Sequence, residues 1–288
     1  MSLEALTAAN EEAASRRRRP AQPIPHPDDV ERRYRAQLRA LVRRITRQVQ
    51  ESVLPILKGS DYTQDAILTR DQWSERVASE LDRLAEEYTS ASFAAQVRRL
   101  ATAVVMQAND ETTGAFIQSV RRAIGVDYRA VLSERGMAEY LNAAIAQNVG
   151  LIKSVPEELL KGLRTVVLQG AMDGESITSI MRQIQQQTGV ADRRARFIAR
   201  DQLAKISGQV TERRQKQAGI QYWRWVTSKD ERVGTDHRLA ARRDIGFGPG
   251  VYPVGYEPPE GQPGNAKRPN CRCTRSPVFE FELPERKR

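Results

Sequence analysis

Three observations predict an α+β fold that is predominantly α-helical and ends in a small β-containing C-terminal module. Apolar residues recur every three or four positions over most of residues 28–218, which is the period of amphipathic helices. Around residues 220–226 the period shortens towards two, as in a strand. Aromatic residues make up only 6% of the chain and charged residues 28%, a composition that favours helices with long solvated faces over a large sheet.

Residues 1–27 are predicted to be a disordered basic arm. Arg16, Arg17, Arg18 and Arg19 are consecutive, and four prolines follow within residues 20–27. Prolines at this density remove backbone donors and prevent a helix. Two interpretations remain open: an arm that lies over a partner, or an unattached terminus.

Residues 28–147 are predicted to form a helical domain. Asp28 and Asp29 suit a helix N-terminus, and this first helix should end near Gly59. A second helix should run from residues 69–71 to about residue 109. Helical periodicity then resumes over residues 112–124 and 136–149.

A second domain is predicted over residues 148–281, followed by a basic tail over 282–288. Residues 148–156 are interpreted as a connector, since Pro156 suits the first position of a helix. Helices should then end at Gly170 and near Gly189, and a third should run from Asp192 to about residue 218. The domain is completed by a strand and by one or two helical turns over residues 235–243. A loop rich in glycine and proline over 246–269 and strand candidates at 271–275 and 278–281 follow.

The unusual chemistry of the chain is concentrated between Tyr222 and Cys273. Both cysteines, Cys271 and Cys273, lie there together with His237. Two thiolates and an imidazole are apt ligands for Zn²⁺. A fourth ligand would have to be Asp230, Asp236 or His26, of which His26 lies in the N-terminal arm. The alternative is that both cysteines are small core residues that hold the closing strand in place, in which case the protein has no cofactor.

These residues resemble the phage head morphogenesis module, the family of the Mu F protein and the SPP1 minor head protein. The resemblance covers roughly residues 148–281, and it rests on a set of elements taken together. They are the run from Arg213 to Ile220, the strand with Trp223 and Trp225, the residues Asp230, Arg232 and His237, and the closing sequence Pro269-Asn270-Cys271-Arg272-Cys273. Many members carry His-Pro before the two cysteines, where this chain carries Pro269-Asn270.

The resemblance implies a minor capsid protein of a tailed phage, and we expect the protein to have no enzymatic activity. Its partners would be the portal, the capsid and scaffold proteins, and packaged DNA. It would act in prohead assembly and in DNA packaging or ejection. It would reside in the virion head, and in the host cytoplasm during assembly.

The polar and aromatic residues of the motif are interpreted as structural. Trp223 and Trp225 are expected in the core rather than at a ligand. Asp230 is expected to organise a tight turn through backbone hydrogen bonds, and Arg232 to reach a neighbouring carboxylate. Asn270 precedes the cysteine pair.

Positive charge points to a polyanionic partner. The net charge is +10, and it is concentrated in the arm, in residues 190–218 and in the tail. Such segments contact nucleic acid through its phosphates, so Arg16 to Arg19, Arg286, Lys287 and Arg288 are candidate DNA contacts. A solvated surface is the alternative.

Two other functions are compatible with these residues. The protein would be a nucleic-acid-processing enzyme if His237 and the nearby acids converged on a substrate, or it would be a non-specific DNA-binding protein. A glycine-rich phosphate loop and a nucleophile elbow are both missing from the sequence. No apolar run reaches the length of a membrane span.

Overall fold

The computed structural model describes residues 19–59, 67–231, 233–264, 267 and 269–284. Within these ranges the α-helices are α1 (Asp28–Gly59), α2 (Ile67–Thr89), α3 (Ala91–Ile124), α4 (Arg135–Met172), α5 (Ile177–Gln217) and α6 (Thr235–Ala240). The strands are β1 (Tyr222–Val226), β2 (Val251–Pro253) and β3 (Thr274–Val278), and short 3₁₀ turns cover Tyr128–Ala130 and Glu280–Glu282. The predicted fold class, mainly helical with a small C-terminal sheet, is confirmed.

Helix α1 begins at Asp28, as its charge pattern predicts. Three acidic residues, Asp28, Asp29 and Glu31, lie in its first turn, where they interact favourably with the positive end of the helix dipole. One face of the helix is fully buried along its length. The buried residues include Tyr34, Leu38, Val42, Ile45, Val49 and Val53.

The boundary between α2 and α3 differs from the prediction. The helix is interrupted at Ser90, and α3, which begins at the next residue, continues without interruption through residues 109–112. Ser90 caps the new helix, since its Oγ accepts a hydrogen bond from the Phe93 N–H at 3.2 Å. The helix continues past Asn109 because this region is buried: Asn109 and Thr112 are only 2% and 1% exposed.

The predicted connector at residues 148–156 is wrong, because α4 runs through it with Pro156 inside the helix. Apolar residues at helical spacing, Ile152, Val155 and Leu159, are buried on both sides of the proline. Their burial offsets the hydrogen bond that the proline removes. Asn148 is buried too, and it accepts a hydrogen bond from the Tyr34 hydroxyl at 3.0 Å.

The predicted breaks at Gly189 and Asp192 are likewise missing from α5, which is continuous from Ile177 to Gln217. Thr188 does not end the helix, since its hydroxyl donates to the Ile184 carbonyl one turn earlier at 2.8 Å. Asp192 does not cap a new helix either. Its carboxylate pairs with Arg39 at 2.5 Å and with Arg196 one turn later.

The chain divides into two compact units. One unit comprises residues 32–103 and 145–199, and its described residues form helices and the short turns that connect them. Side chains of α1 hold it together internally: the Thr46 and Thr188 hydroxyls lie 3.0 Å apart, and Arg44 pairs with Glu87 at 2.9 Å. None of the described helices is apolar over a stretch long enough to cross a membrane.

The other unit comprises residues 1–31, 104–144 and 200–288, and it contains the sheet. Strand β1 is central, and it pairs antiparallel with β2 on one side and β3 on the other. The two predicted strands near residues 271–281 are in fact one strand, Thr274–Val278. It begins at Thr274 because its partner in β1 ends at Val226, the residue opposite.

The described part of the predicted N-terminal arm, residues 19–27, is extended and packed. Ile24 is 1% exposed, and its N–H donates to the Arg275 carbonyl of β3 at 3.2 Å. The Ser276 hydroxyl donates to the Ala21 carbonyl at 2.8 Å. This segment joins a core formed with the end of α3 and with Ile220. Apolar residues between the prolines therefore give this stretch a fixed position.

Candidate functional site

The site is assembled around strand β1, whose alternate residues Trp223 and Trp225 are almost completely buried. Trp223 lies opposite Tyr252 of β2, with ring centroids 5.0 Å apart. The Tyr252 hydroxyl donates to the Ala240 carbonyl of α6 at 2.6 Å. The aromatic cluster thus connects the sheet to α6, and both tryptophans are core residues, as predicted.

His237 lies in α6 and is only 4% exposed. Its ring meets the Trp225 ring edge-on, with centroids 5.3 Å apart. The ring nitrogen Nδ1 is 3.6 Å from the sulfur of Cys271 and 3.6 Å from the sulfur of Cys273. His237 and the two cysteines, which follow it by 34 and 36 positions, therefore converge on one point.

Both cysteines are buried free thiols, and they differ in acidity. A hydrogen bond from the Cys273 thiol holds the pKa of Cys271 well below its usual range, with burial opposing this shift and His237 reinforcing it. The proximity of Cys271, followed by burial, raises the pKa of Cys273. Cys271 is therefore the first of the pair to become a thiolate.

A small cavity of about 60 Å³ opens beside the two thiols and His237. Asp230 and Asn270 contribute to its wall, and Arg272 lies 4.0 Å from the Asp230 carboxylate. Asn270 has a positive φ of 60°, which asparagine tolerates better than most residues. Its N–H donates to Asp201 of α5 at 3.3 Å, so α5 fixes the backbone that precedes the cysteines.

Beneath the sheet lies a buried charge that the sequence analysis did not identify. The Arg275 guanidinium is 1% exposed, stacks 4.3 Å above the Trp223 ring and lies 3.4 Å from the Glu212 carboxylate. Burial lowers its pKa to about 10, while Glu212 opposes this effect. Arg275 is therefore still a cation at neutral pH, and Glu212 stabilises that charge. Residues 275–278 of β3 are buried on both faces of the strand, and no sequence pattern identifies the partner of Arg275.

A second feature that the sequence analysis missed is a cationic groove of about 300 Å³ on the outside of α6. Lys229, Arg238 and Arg242 line it and are exposed. Asp230 is the one acidic residue among the described lining. The four-residue spacing of Arg238 and Arg242 was the available signal, since it places both on one face of a helical turn.

The structure therefore brings together seven of the eight residues predicted for the motif. They are Trp223, Trp225, Asp230, His237, Asn270, Cys271 and Cys273. The eighth, Arg232, lies outside the described residues. So do Arg16, Arg17, Arg18, Arg286, Lys287 and Arg288 of the candidate DNA contacts. Arg19 is described and exposed, and its N–H donates to the Ala123 carbonyl at 3.3 Å.

The fold and the site together define a helical protein that ends in a three-stranded module closed by a Cys-x-Cys pair against a buried histidine. Residues 161–276 match the family model described as Phage Mu protein F like protein. This match confirms the resemblance to the phage head morphogenesis family over these residues.

One relative at the sequence level comes from Haemophilus influenzae and is described only as an uncharacterized protein. It is 28% identical over 265 residues, which are 92% of this chain and 56% of the relative. The chain thus spans a little over half of that protein's length. No solved structure matches the chain.

Proposed function

We propose that the protein is a minor head protein of a tailed phage that assists prohead assembly and associates with the portal. The observation that carries this proposal is the match over residues 161–276, which contains every described element of the tryptophan, histidine and cysteine motif. A folded motif with buried tryptophans is consistent with a functional member of such a family. The capsid, scaffold and portal proteins are its proposed partners, and the virion head is its proposed location.

The test is deletion of the gene in the phage that encodes it, with complementation in trans. We expect few or no DNA-filled heads by electron microscopy, and rescue by the wild-type gene. A Trp223→Ala variant should fail to rescue because it removes the centre of the module. Gln221→Ala, at an exposed position next to the same strand, should rescue fully. Normal heads and titre after deletion would contradict the proposal.

A role in DNA handling has its own supporting observation, the cationic groove. Lys229, Arg238 and Arg242 form no ion pair with another residue of the described chain. Cations without carboxylate partners around a groove can neutralise phosphates, and each phosphate contact adds about 0.9 to the slope of log affinity against log salt. The groove therefore extends the set of candidate DNA contacts beyond the arm and the tail.

Changing Lys229, Arg238 and Arg242 together to glutamine should flatten that salt dependence by about 2.7. The matched control changes three exposed cations elsewhere, Arg98, Arg99 and Lys161, to glutamine. This control alters net charge equally, but it should leave the slope within about one unit of the wild type. Equal slopes for both triple variants would rule out the groove as the DNA contact.

The structure does not favour the alternative of a nucleic-acid-processing enzyme. General acid–base catalysis by His237 would require its ring to reach a substrate and to be oriented by an acid. Instead its Nδ1 lies between two sulfur atoms inside the module. This position suits a histidine that binds a metal ion better than one that transfers a proton to a substrate.

A further inference from the structure

The sulfur atoms of Cys271 and Cys273 both lie 3.6 Å from Nδ1 of His237. A ring nitrogen carries either one proton or one lone pair, so it can form one good hydrogen bond along its axis. One hydrogen bond would favour one sulfur over the other. Equal distances to two sulfurs are better explained by a third centre that all three atoms face.

The distances fit a tetrahedral metal. With Zn–S near 2.3 Å and Zn–N near 2.05 Å, a tetrahedral angle places sulfur and nitrogen about 3.6 Å apart. Both observed distances have this value. The three ligand atoms all lie within 4.8 Å of one another, so one ion can reach them without movement of the backbone.

The surroundings suit two thiolates and a dication. Backbone hydrogen bonds from Gly264 and Cys273 reach the Cys271 sulfur, and one from Ser228 reaches the Cys273 sulfur. Such bonds orient and stabilise metal-bound thiolates. Two thiolates, a neutral imidazole and Zn²⁺ have no net charge, which reduces the cost of burying this group.

A fourth coordination position is available on the side of the 60 Å³ cavity. Among the described residues the group holds no fourth histidine, cysteine or carboxylate. Asn270 lines the cavity, and its side-chain oxygen is buried without a hydrogen-bond partner in the described part of the chain. That oxygen can accept a hydrogen bond from a water molecule bound at the fourth position.

We propose that His237, Cys271 and Cys273 bind one Zn²⁺ ion, with water as the fourth ligand. The ion acts as a structural clamp that joins α6 to the segment before β3. It closes the long loop that lies between them, which contains β2 and the groups of glycine and proline. This proposal is independent of the role in head assembly, because it depends only on the geometry of the module.

Metal analysis of full-length protein, purified under reducing conditions, is the first test. We expect about one zinc per chain, since the three ligands converge on one point. Replacing zinc by Co²⁺ should give the visible absorption of a tetrahedral site and near-ultraviolet bands from thiolate ligands. A folded protein that takes up neither metal would overturn the proposal.

Variants then assign the ligands. Cys271→Ser, Cys273→Ser and His237→Asn should each lose zinc or lower its affinity at least tenfold. His26→Gln is the matched control, because His26 is the other histidine and lies near Asp28 and Glu31 in a separate group. It should retain zinc and the full cobalt spectrum. Loss of zinc from His26→Gln alone would place the metal at that other group and contradict the proposal.

The clamp predicts a further result that does not depend on variants. Removing the metal with a chelator should lower the melting temperature of the wild type and make both thiols react faster with a thiol reagent. If a cysteine variant does not fold, the cobalt spectrum of the wild type still decides the matter. Cobalt bands without thiolate character would show that the cysteines are not ligands.

Discussion

Glu212→Gln is expected to destabilise the module strongly, although it replaces only one carboxylate oxygen by an amide nitrogen and keeps the size and shape of the side chain. The Arg275 guanidinium is 1% exposed, and Glu212 is the described carboxylate that faces it, at 3.4 Å. Removing one partner from a buried ion pair typically costs about 3–5 kcal/mol, because the other charge stays buried without compensation. The Gln262 side chain still accepts a hydrogen bond from Arg275 at 2.6 Å, so we expect the lower end of that range.

The assay is denaturant unfolding followed by tryptophan fluorescence, since Trp223 and Trp225 lie beside this pair. A loss of about 3 kcal/mol corresponds to a decrease in melting temperature of roughly 6–12 °C for a protein of this size. Glu158→Gln is the matched control: Glu158 pairs with Arg194 at 2.7 Å but is 53% exposed. That change should cost no more than about 1 kcal/mol.

Arg275→Met completes the cycle. It leaves Glu212 with its other partner, Lys216, at 2.8 Å, and it places an apolar side chain over the Trp223 ring. It should therefore cost less than Glu212→Gln, and the double variant should be more stable than Glu212→Gln alone. If Glu212→Gln costs less than about 1 kcal/mol, or if the two changes are additive, Glu212 does not compensate the buried charge of Arg275.

Two further predictions concern a pair of glycines and His26. Gly208→Ala in α5 should destabilise the unit that contains the sheet, because the added Cβ would lie 2.4 Å from the Pro263 carbonyl oxygen. Gly150→Ala in α4, where an added Cβ would have no atom within 4 Å, should instead increase the free energy of unfolding by about 0.5–1 kcal/mol. Thermal melts of both variants check the pair, and equal effects would contradict the close approach. Burial lowers the pKa of His26, assisted by Arg272 and opposed by Glu31 and Asp28. Near pH 6.5 the unfolded chain therefore binds more protons than the folded protein, so the free energy of unfolding should fall as the pH drops through about 6.5. Thermal melts of His26→Gln between pH 7.5 and 5.5 should show a weaker pH dependence than those of the wild type.

Local signals in the sequence were sufficient for much of the fold. The acidic first turn identified the start of α1, and the change of period identified β1. The glycine after Ala218 marked the end of α5. These features depend on residues close together in the chain, so they can be predicted without knowledge of the packing.

The helix breaks were predicted less well, because burial overrode the local signals. Proline and glycine are common at helix ends, yet Pro156 and Gly189 both lie inside helices. Each of these helices has an apolar face that is buried on both sides of the residue. The free energy gained by burying that face exceeds the local cost of proline or glycine.

The site was predictable in its residue types but not in its geometry. The sequence identified His237, Cys271 and Cys273 as candidate ligands, but a separation of more than thirty residues gives no distance. Only the fold shows that both sulfurs face the same ring nitrogen. The Arg275 and Glu212 pair was missed for a similar reason, since its partners lie on different elements and share no motif.

The proposed role in the head is tested most directly by quantitative mass spectrometry of purified proheads and mature heads from the phage that encodes this protein. We expect the protein to co-sediment with both particles in a fixed ratio to the portal protein. We also expect the Trp223→Ala variant to be missing from the particles and the Gln221→Ala variant to be present in them. If the protein is missing from every head fraction and its deletion leaves the particles unchanged, the proposed role in the head is contradicted.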